Sequence, residues 1–307
     1  MGCKRLSQIT IPSSVNEIGH GAFSGCSSLR QVSIASSVAK IGPSSFCGCS
    51  SLKEISIPIL VAEIFSSTFY NCIKLESITI PSSVTKIGHS CFYDCTSLSE
   101  ISLPSSLLSI EKNSFAGCSN LKRLVIPPSV KSICEGAFNR CTSLYEIIIP
   151  SSVTVIESHA FDGCSSIKHL EIPSSVTSIE RFAFYKCSNL EQINILSCIT
   201  SIGNCTFDGC SKLKQISIPS SVKTIGNSAF SGCSSLEQVS VPSSVTKIGM
   251  FAFSDCKSLT QASIPSSVTQ MGGHVFRGCT SLMKLTLPSS VNQCSLDIKS
   301  NVAITII

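Results

Sequence analysis

The sequence predicts a solenoid, one short structural unit copied end to end around a thin core. Three observations predict it. Thirteen cysteines, from Cys3 through Cys26 and Cys49 to Cys279, recur every 23 residues without a slip. A phenylalanine keeps the same spacing in all twelve full turns, from Phe23 to Phe276. Between them each copy carries an apolar segment of one form, such as Leu213-Lys-Gln-Ile216-Ser-Ile218-Pro219. Columns shared by every copy must build the scaffold, and positions that break them are candidates for specificity.

The elements follow in order within one copy. Three residues after the cysteine stands a leucine (Leu29, Leu52, Leu75, Leu98), with Ile167 the sole substitute. The alternation after it, as in Ile78 and Ile80, reads as a short strand with one face buried. One strand per copy gives a parallel sheet on the concave side. Proline closes the strand in most copies (Pro81, Pro104, Pro150, Pro219) because it has no N–H to extend a ladder. Ser-Ser follows and suits a turn. Gly19, Gly42, Gly88, Gly203, Gly226 and Gly249 open the next corner. The Ala-Phe-x-x-Cys run places apolar groups at i, i+1 and i+4, which predicts a 3₁₀ turn or single-turn helix on a thin convex side.

The pattern Cys-x-x-Leu-x-x-Ile-x-Ile-Pro-x-x-Val-x-x-Ile-Gly-x-x-Ala-Phe resembles the leucine-rich repeats of the BspA-like family, the Treponema-type subclass. The resemblance runs from Cys3 to Val291. It implies a right-handed leucine-rich-repeat solenoid of about 12–13 repeats over residues 1–291. The common leucine-rich repeat carries asparagine or cysteine just after its strand. Here Ser13-Ser14 and Ser82-Ser83 stand there, so a serine ladder is the candidate replacement. The resemblance further implies a non-catalytic, protein-binding role at the cell surface or in secretion, in adhesion to host cells or extracellular matrix. An intracellular interaction scaffold in the cytoplasm is the alternative, favoured by the thiol count and by the lack of a visible signal peptide.

Composition narrows the classes. The 307 residues are 43% hydrophobic with a formal net charge of +5. Lys and Arg are scattered among Asp and Glu, with no basic run to track a phosphate backbone, so nucleic acid is not expected as a partner. No stretch of 18 apolar residues is present, so no transmembrane segment is expected. Met1-Gly2-Cys3 enters in register, as if the chain began within the repeat; a fragment, or an end covered by another subunit, accounts for that. The period fails after Val291. Residues 292–307 are expected to form a non-repeat cap or an edge strand through Val302-Ala-Ile-Thr-Ile-Ile307, and uncapped ends offer a route to self-association.

Nineteen cysteines admit disulfide, metal and packing readings. Equivalent cysteines on adjacent turns lie about 4.8 Å apart, beyond the roughly 3.8 Å between Cβ atoms that a disulfide prefers. A reduced, buried ladder is the expectation. Cys47-Gly-Cys49 lacks a converging partner pair, so no metal is expected. Off the ladder lie Cys47, Cys91, Cys134, Cys198, Cys205 and Cys294. Cys91 occupies a small column and is expected buried; Cys47 and Cys205 are expected exposed.

No catalytic residue and no cofactor is expected. His20, His89, His159 and His274 fall on one corner as solvated residues, and Gly-x-Ser-x-Gly and Walker-type loops are absent. Asn204-Cys205-Thr206 matches a glycosylation sequon, but Thr206 falls in a buried column, so it reads as a chance match.

Two columns of each strand face outward. Most of that face is Gln, Glu, Ser and Thr, as in Gln8, Gln31 and Glu54 or Thr10, Ser33 and Ser56. Three neighbouring copies break it: Arg123 with Val125, Tyr145 with Ile148, and His169 with Glu171. Exposed aliphatics beside Arg and Tyr have the composition of a binding hot spot. Two readings account for the break, unselected drift among copies and a patch that binds a protein ligand. A weaker irregular surface lies on the corner at Phe65, Phe182, Met250 and Phe251.

Overall fold

The computed structural model describes residues 2–196, 198–291 and 296–307. The chain divides into two units, Met1–Val153 and Thr154–Ile307. Each is a parallel-strand solenoid.

In the first unit the alternating segments form the expected strands. Gln8–Ile11 pairs in parallel with Gln31–Ile34, Glu54–Ser56 with Ser77–Thr79, and Arg123–Val125 with Glu146–Ile148. Each residue faces its equivalent in the next copy, as in Gln8↔Gln31, so the sequence period is also the ladder register. A second ladder forms on the Ile column that precedes the corner. It joins Glu17–Ile18, Lys40–Ile41, Glu63–Ile64 and Lys86–Ile87, then continues as single bridges through Ile110 to Ile133.

The second unit repeats this plan. Its long strands are His169–Ile172, Gln192–Ile195 and Gln215–Ile216, then Gln238–Ser240, Gln261–Ser263 and Lys284–Leu287. Ala303–Ile306 pairs in parallel with Lys284–Leu287. Short strands Ser201–Ile202, Thr224–Ile225, Lys247–Ile248 and Gln270–Met271 form the second ladder.

The core is a set of stacked columns. Phe46, Phe69, Phe92, Phe115 and Phe138 are fully buried, with successive rings 5.3–5.7 Å apart. In the second unit the stack runs from Phe161 to Phe276 at 5.3–5.8 Å. Offset ring stacking at this separation adds to plain area burial. Small residues are required where the corner closes on its neighbour. A Cβ on Gly88 would sit 2.5 Å from the Ser66 nitrogen.

The corner corrects one expectation. Among the described residues the Ala-Phe-x-x-Cys run forms neither a 3₁₀ turn nor a helix. It is a chain of tight turns with left-handed backbone at two positions four residues apart. Ser44 and Gly48 have φ of 53° and 70°, a left-handed setting that no right-handed helix contains. The N–H groups alternate in destination. Those of Ser45, Cys47 and Cys49 close local turns onto Gly42, Ser44 and Phe46. Those of Ser44, Phe46 and Gly48 reach the next copy, at Ser66, Thr68 and Tyr70, over 2.7–3.0 Å. The corner is therefore a third inter-repeat ladder, which satisfies backbone donors that a single helical turn would leave open.

Hydroxyls and thiols satisfy further carbonyls. Ser83, Ser106 and Ser244 donate to Val61, Val84 and Val222 of the preceding copy at 2.6–2.8 Å. The serine ladder thus stands where other leucine-rich repeats place asparagine. Each ladder thiol described by a bond donates to a phenylalanine carbonyl one copy back, as Cys95 does to Phe69 at 3.2 Å. Among the described residues no helix is long and apolar enough to cross a membrane.

Candidate functional site

In the first unit the register sets Arg123 opposite Glu146 and Val125 opposite Ile148. Leu124 and Ile147, between them, point into the core and are buried. The alternation forces Val125 and Ile148 out together as neighbours on one face. They are 65% and 54% exposed, and Tyr145, just before its strand, is 51% exposed. Arg123 forms a long, exposed ion pair with Glu100 at 3.9 Å, beyond the distance of a charge-assisted hydrogen bond. His169 and Glu171 lie in the second unit, both exposed on His169–Ile172 opposite Gln192 and Asn194.

A cleft of about 590 Å³ opens on the same face of the first unit. Its lining includes Glu100, Ile101, Leu103, Arg123, Val125 and Ile148, with Pro127 and Pro128 at the rim. The reading of exposed columns missed Ile101 and Leu103, because they occupy aliphatic columns that are buried in most copies. Pro127-Pro128, where most copies carry Pro-Ser, was a legible signal of the rim.

Most of the described thiols are buried. Among the described residues no cysteine is joined in a disulfide. Cys91 is buried as expected. Cys47 and Cys205 are half-buried instead of exposed, because each lies on the corner whose backbone is ladder-bonded to its neighbours; Cys3 and Cys198 are the exposed thiols among those described. Burial, reinforced by the Asp208 carboxylate, pushes the Cys205 thiol up, away from the thiolate. Cys294 lies outside the described residues. Among the described residues no group of three His, Cys, Asp or Glu is placed to hold a metal.

The corner histidines of the second unit are engaged. His159 Nδ1 lies 2.9 Å from Asp162 and its ring stacks on Phe182 at 4.6 Å. His274 Nδ1 lies 2.8 Å from Asp297 and its ring stacks on Phe251 at 5.0 Å. These stacks leave Phe182 and Phe251 half-buried, while Met250 stays 47% exposed. Thr206 is buried and donates to the Gly203 carbonyl at 3.0 Å, consistent with a structural role for the Asn204-Cys205-Thr206 segment.

The comparisons agree with this architecture. The family model "BspA type Leucine rich repeat region (6 copies)" matches residues 1–95, 62–191 and 177–302. A leucine-rich repeat protein from Bacteroides ovatus is 30% identical, with 100% of this chain and 93% of that one covered and a TM-score of 0.71. A leucine rich cell surface protein from Faecalibacterium prausnitzii is 27% identical, covering 98% and 87% at a TM-score of 0.59. A leucine-rich repeat protein from Eubacterium ventriosum is 25% identical, covering 97% and 87% at 0.64. No curated protein matches the chain. With the repeat model matched along nearly its whole length, this chain belongs to the BspA-type leucine-rich repeat family.

Proposed function

We propose that this chain is a non-catalytic, protein-binding repeat module of a cell-surface or secreted protein, attaching to host cells or extracellular matrix. The observation that carries the reading is the exposed cluster of Arg123, Val125, Tyr145 and Ile148 on an otherwise polar strand face. Large aliphatic and aromatic groups beside an arginine are the composition of interface hot spots. The similarity to a leucine rich cell surface protein supports the location. His169 and Glu171 offer exposed polar contacts on the second unit's own strand face.

Binding of the 307-residue chain to host-cell monolayers and to coated matrix extract tests the reading. Arg123→Ala with Tyr145→Ala should weaken binding by about tenfold or more. Both side chains are exposed, so the thermal midpoint should move little. Unchanged binding by the double variant overturns the site.

A second reading, an intracellular interaction scaffold, is favoured by the lack of disulfides among the described cysteines, since oxidising compartments favour disulfides. Labelling of intact, unpermeabilised cells with an antibody to the chain separates the two. Signal only after permeabilisation would overturn the surface assignment.

A further inference from the structure

We infer that the interruption of the long strand ladder at residues 100–103 is a slot for an extended peptide. An aliphatic side chain of the ligand rests on Ile101 and Leu103, and a lysine or arginine beside it faces Glu100 and Glu146. This rests on the protein-binding reading above and names the form of ligand that the face accepts.

The slot lies at one of the breaks in the long strand ladder, which is also interrupted between Gln31–Ile34 and Glu54–Ser56. Ser77–Thr79 pairs backward with Glu54–Ser56, and Arg123–Val125 pairs forward with Glu146–Ile148. Among the described residues, no ladder joins 100–103 to either side. The Ile57 N–H reaches the Thr79 carbonyl at 3.0 Å, and the Ile126 N–H reaches Ile148 at 3.4 Å. No such bond is made by the equivalent N–H of Ile80 or Leu103 among the described residues. The copy is otherwise in place: Leu98, Leu107 and Phe115 are fully buried, and Ile110 still bridges Ile87 and Ile133. At the start of the segment the Lys122 N–H still reaches the Ser99 carbonyl at 3.2 Å, so the break is confined to residues 100–103.

Opening exposes aliphatic surface. The residues equivalent to Ile101 in neighbouring copies, Ile55, Ile78, Leu124 and Ile147, are all buried, whereas Ile101 is half-buried. Leu103 is half-buried as well, as are its equivalents Ile34 and Ile80, so Ile101 is the residue that departs from its paired neighbours. Beside this floor the small Ser77, Ser102 and Ser105 give way to Val125, Ile148 and Pro128, so one wall is high and apolar. Unpaired backbone next to an apolar step suits an extended chain, which brings its own N–H and C=O groups and alternate side chains. The rim fixes the charge of that chain. Glu100 and Glu146 flank a single Arg123, leaving a net negative edge on a protein of formal net charge +5. An acidic segment would meet two carboxylates; a basic one is drawn in.

The probe is a fluorescein-labelled synthetic peptide of four Val-Lys repeats, titrated with the full chain and read by fluorescence anisotropy. Peptides of four Val-Glu and four Ser-Lys repeats are the controls. The Val-Lys peptide should bind about tenfold more tightly than either control. Ser102→Phe, which fills the slot from an exposed position, and Ile148→Ser, which lowers its wall, should each weaken binding about fivefold or more with an unchanged far-ultraviolet circular dichroism spectrum. Equal binding of the Ser-Lys peptide, equal binding by Ser102→Phe, or no Val-Lys binding at millimolar protein overturns the slot. The two proposals fail separately. If Arg123→Ala with Tyr145→Ala abolishes cell and matrix binding while Ser102→Phe leaves it intact, the face binds protein but the slot is not its reader. If neither variant changes that binding, the face itself is excluded.

Discussion

The thiol of Cys118 donates to the carbonyl oxygen of Phe92 at 3.1 Å, one copy back along the stack. That oxygen also accepts the Cys95 N–H at 3.1 Å, so both of its lone pairs are used. Cys141 to Phe115, Cys210 to Phe184 and Cys279 to Phe253 repeat the contact at 3.1–3.2 Å. The cysteine column therefore combines two requirements, a small apolar body for the core and a weak donor for a carbonyl that is otherwise half-satisfied.

Substitution separates these requirements. Cys118→Ala removes the sulfur and the donor together, and urea unfolding should show a loss of about 1–3 kcal/mol. Cys118→Ser keeps a donor within reach of Phe92 and should lie above alanine. If serine is as destabilising as alanine or worse, the thiol acts by packing alone.

The same burial makes the fold sensitive to alkali. Burial pushes the Cys49 thiol from its ordinary 9.0 up to about 12, and burial also raises those of Cys72, Cys95 and Cys118. The unfolded chain releases these protons near pH 9 while the folded chain holds them. Stability is then complete below pH 9 and falls as pH rises toward the folded values, by up to about 1.4 kcal/mol per pH unit for each such thiol. Urea midpoints measured from pH 8 to 10.5 should decline steadily, and less steeply in Cys118→Ala. A flat profile across that range would show that the buried thiols do not titrate in unfolding.

Register and core were legible because they repeat. The spacing of Cys, Leu and Phe named the columns that bury, and the Ser-Ser pairs named the hydroxyl ladder. The second strand ladder was not legible, since two residues such as Lys86-Ile87 are too short for an alternation. Apolar spacing in the corner was compatible with a helical turn because spacing carries no information on the sign of φ. Glycine at Gly25, Gly48, Gly117 and Gly163, with Asn71 and Asp94 in the same column, was the signal for left-handed backbone. Within the site, Val125 and Ile148 were readable as aliphatics in polar columns. The open strand beside them was not, because Leu98-Ser-Glu-Ile101-Ser-Leu103-Pro104 carries the same pattern as its paired neighbours.

The small buried column at the corner carries an avoidable cost. Ser45 and Ser114 each bury a hydroxyl with no hydrogen-bond partner. Thr68 in the same column is fully buried too, but it donates to the Phe65 carbonyl at 2.7 Å. Alanine fills the column elsewhere, at Ala137 in the first unit and at Ala183, Ala229 and Ala252 in the second, and is buried there without strain on any polar group. An unsatisfied buried hydroxyl costs about 1–3 kcal/mol, and removing it leaves a void of only one oxygen. Ser45→Ala and Ser114→Ala should each stabilise the first unit by about 1 kcal/mol in urea unfolding. Thr68→Ala should destabilise it, since it deletes a satisfied bond and a buried methyl group. Equal losses in all three variants would mean that the two serines do find partners in solution.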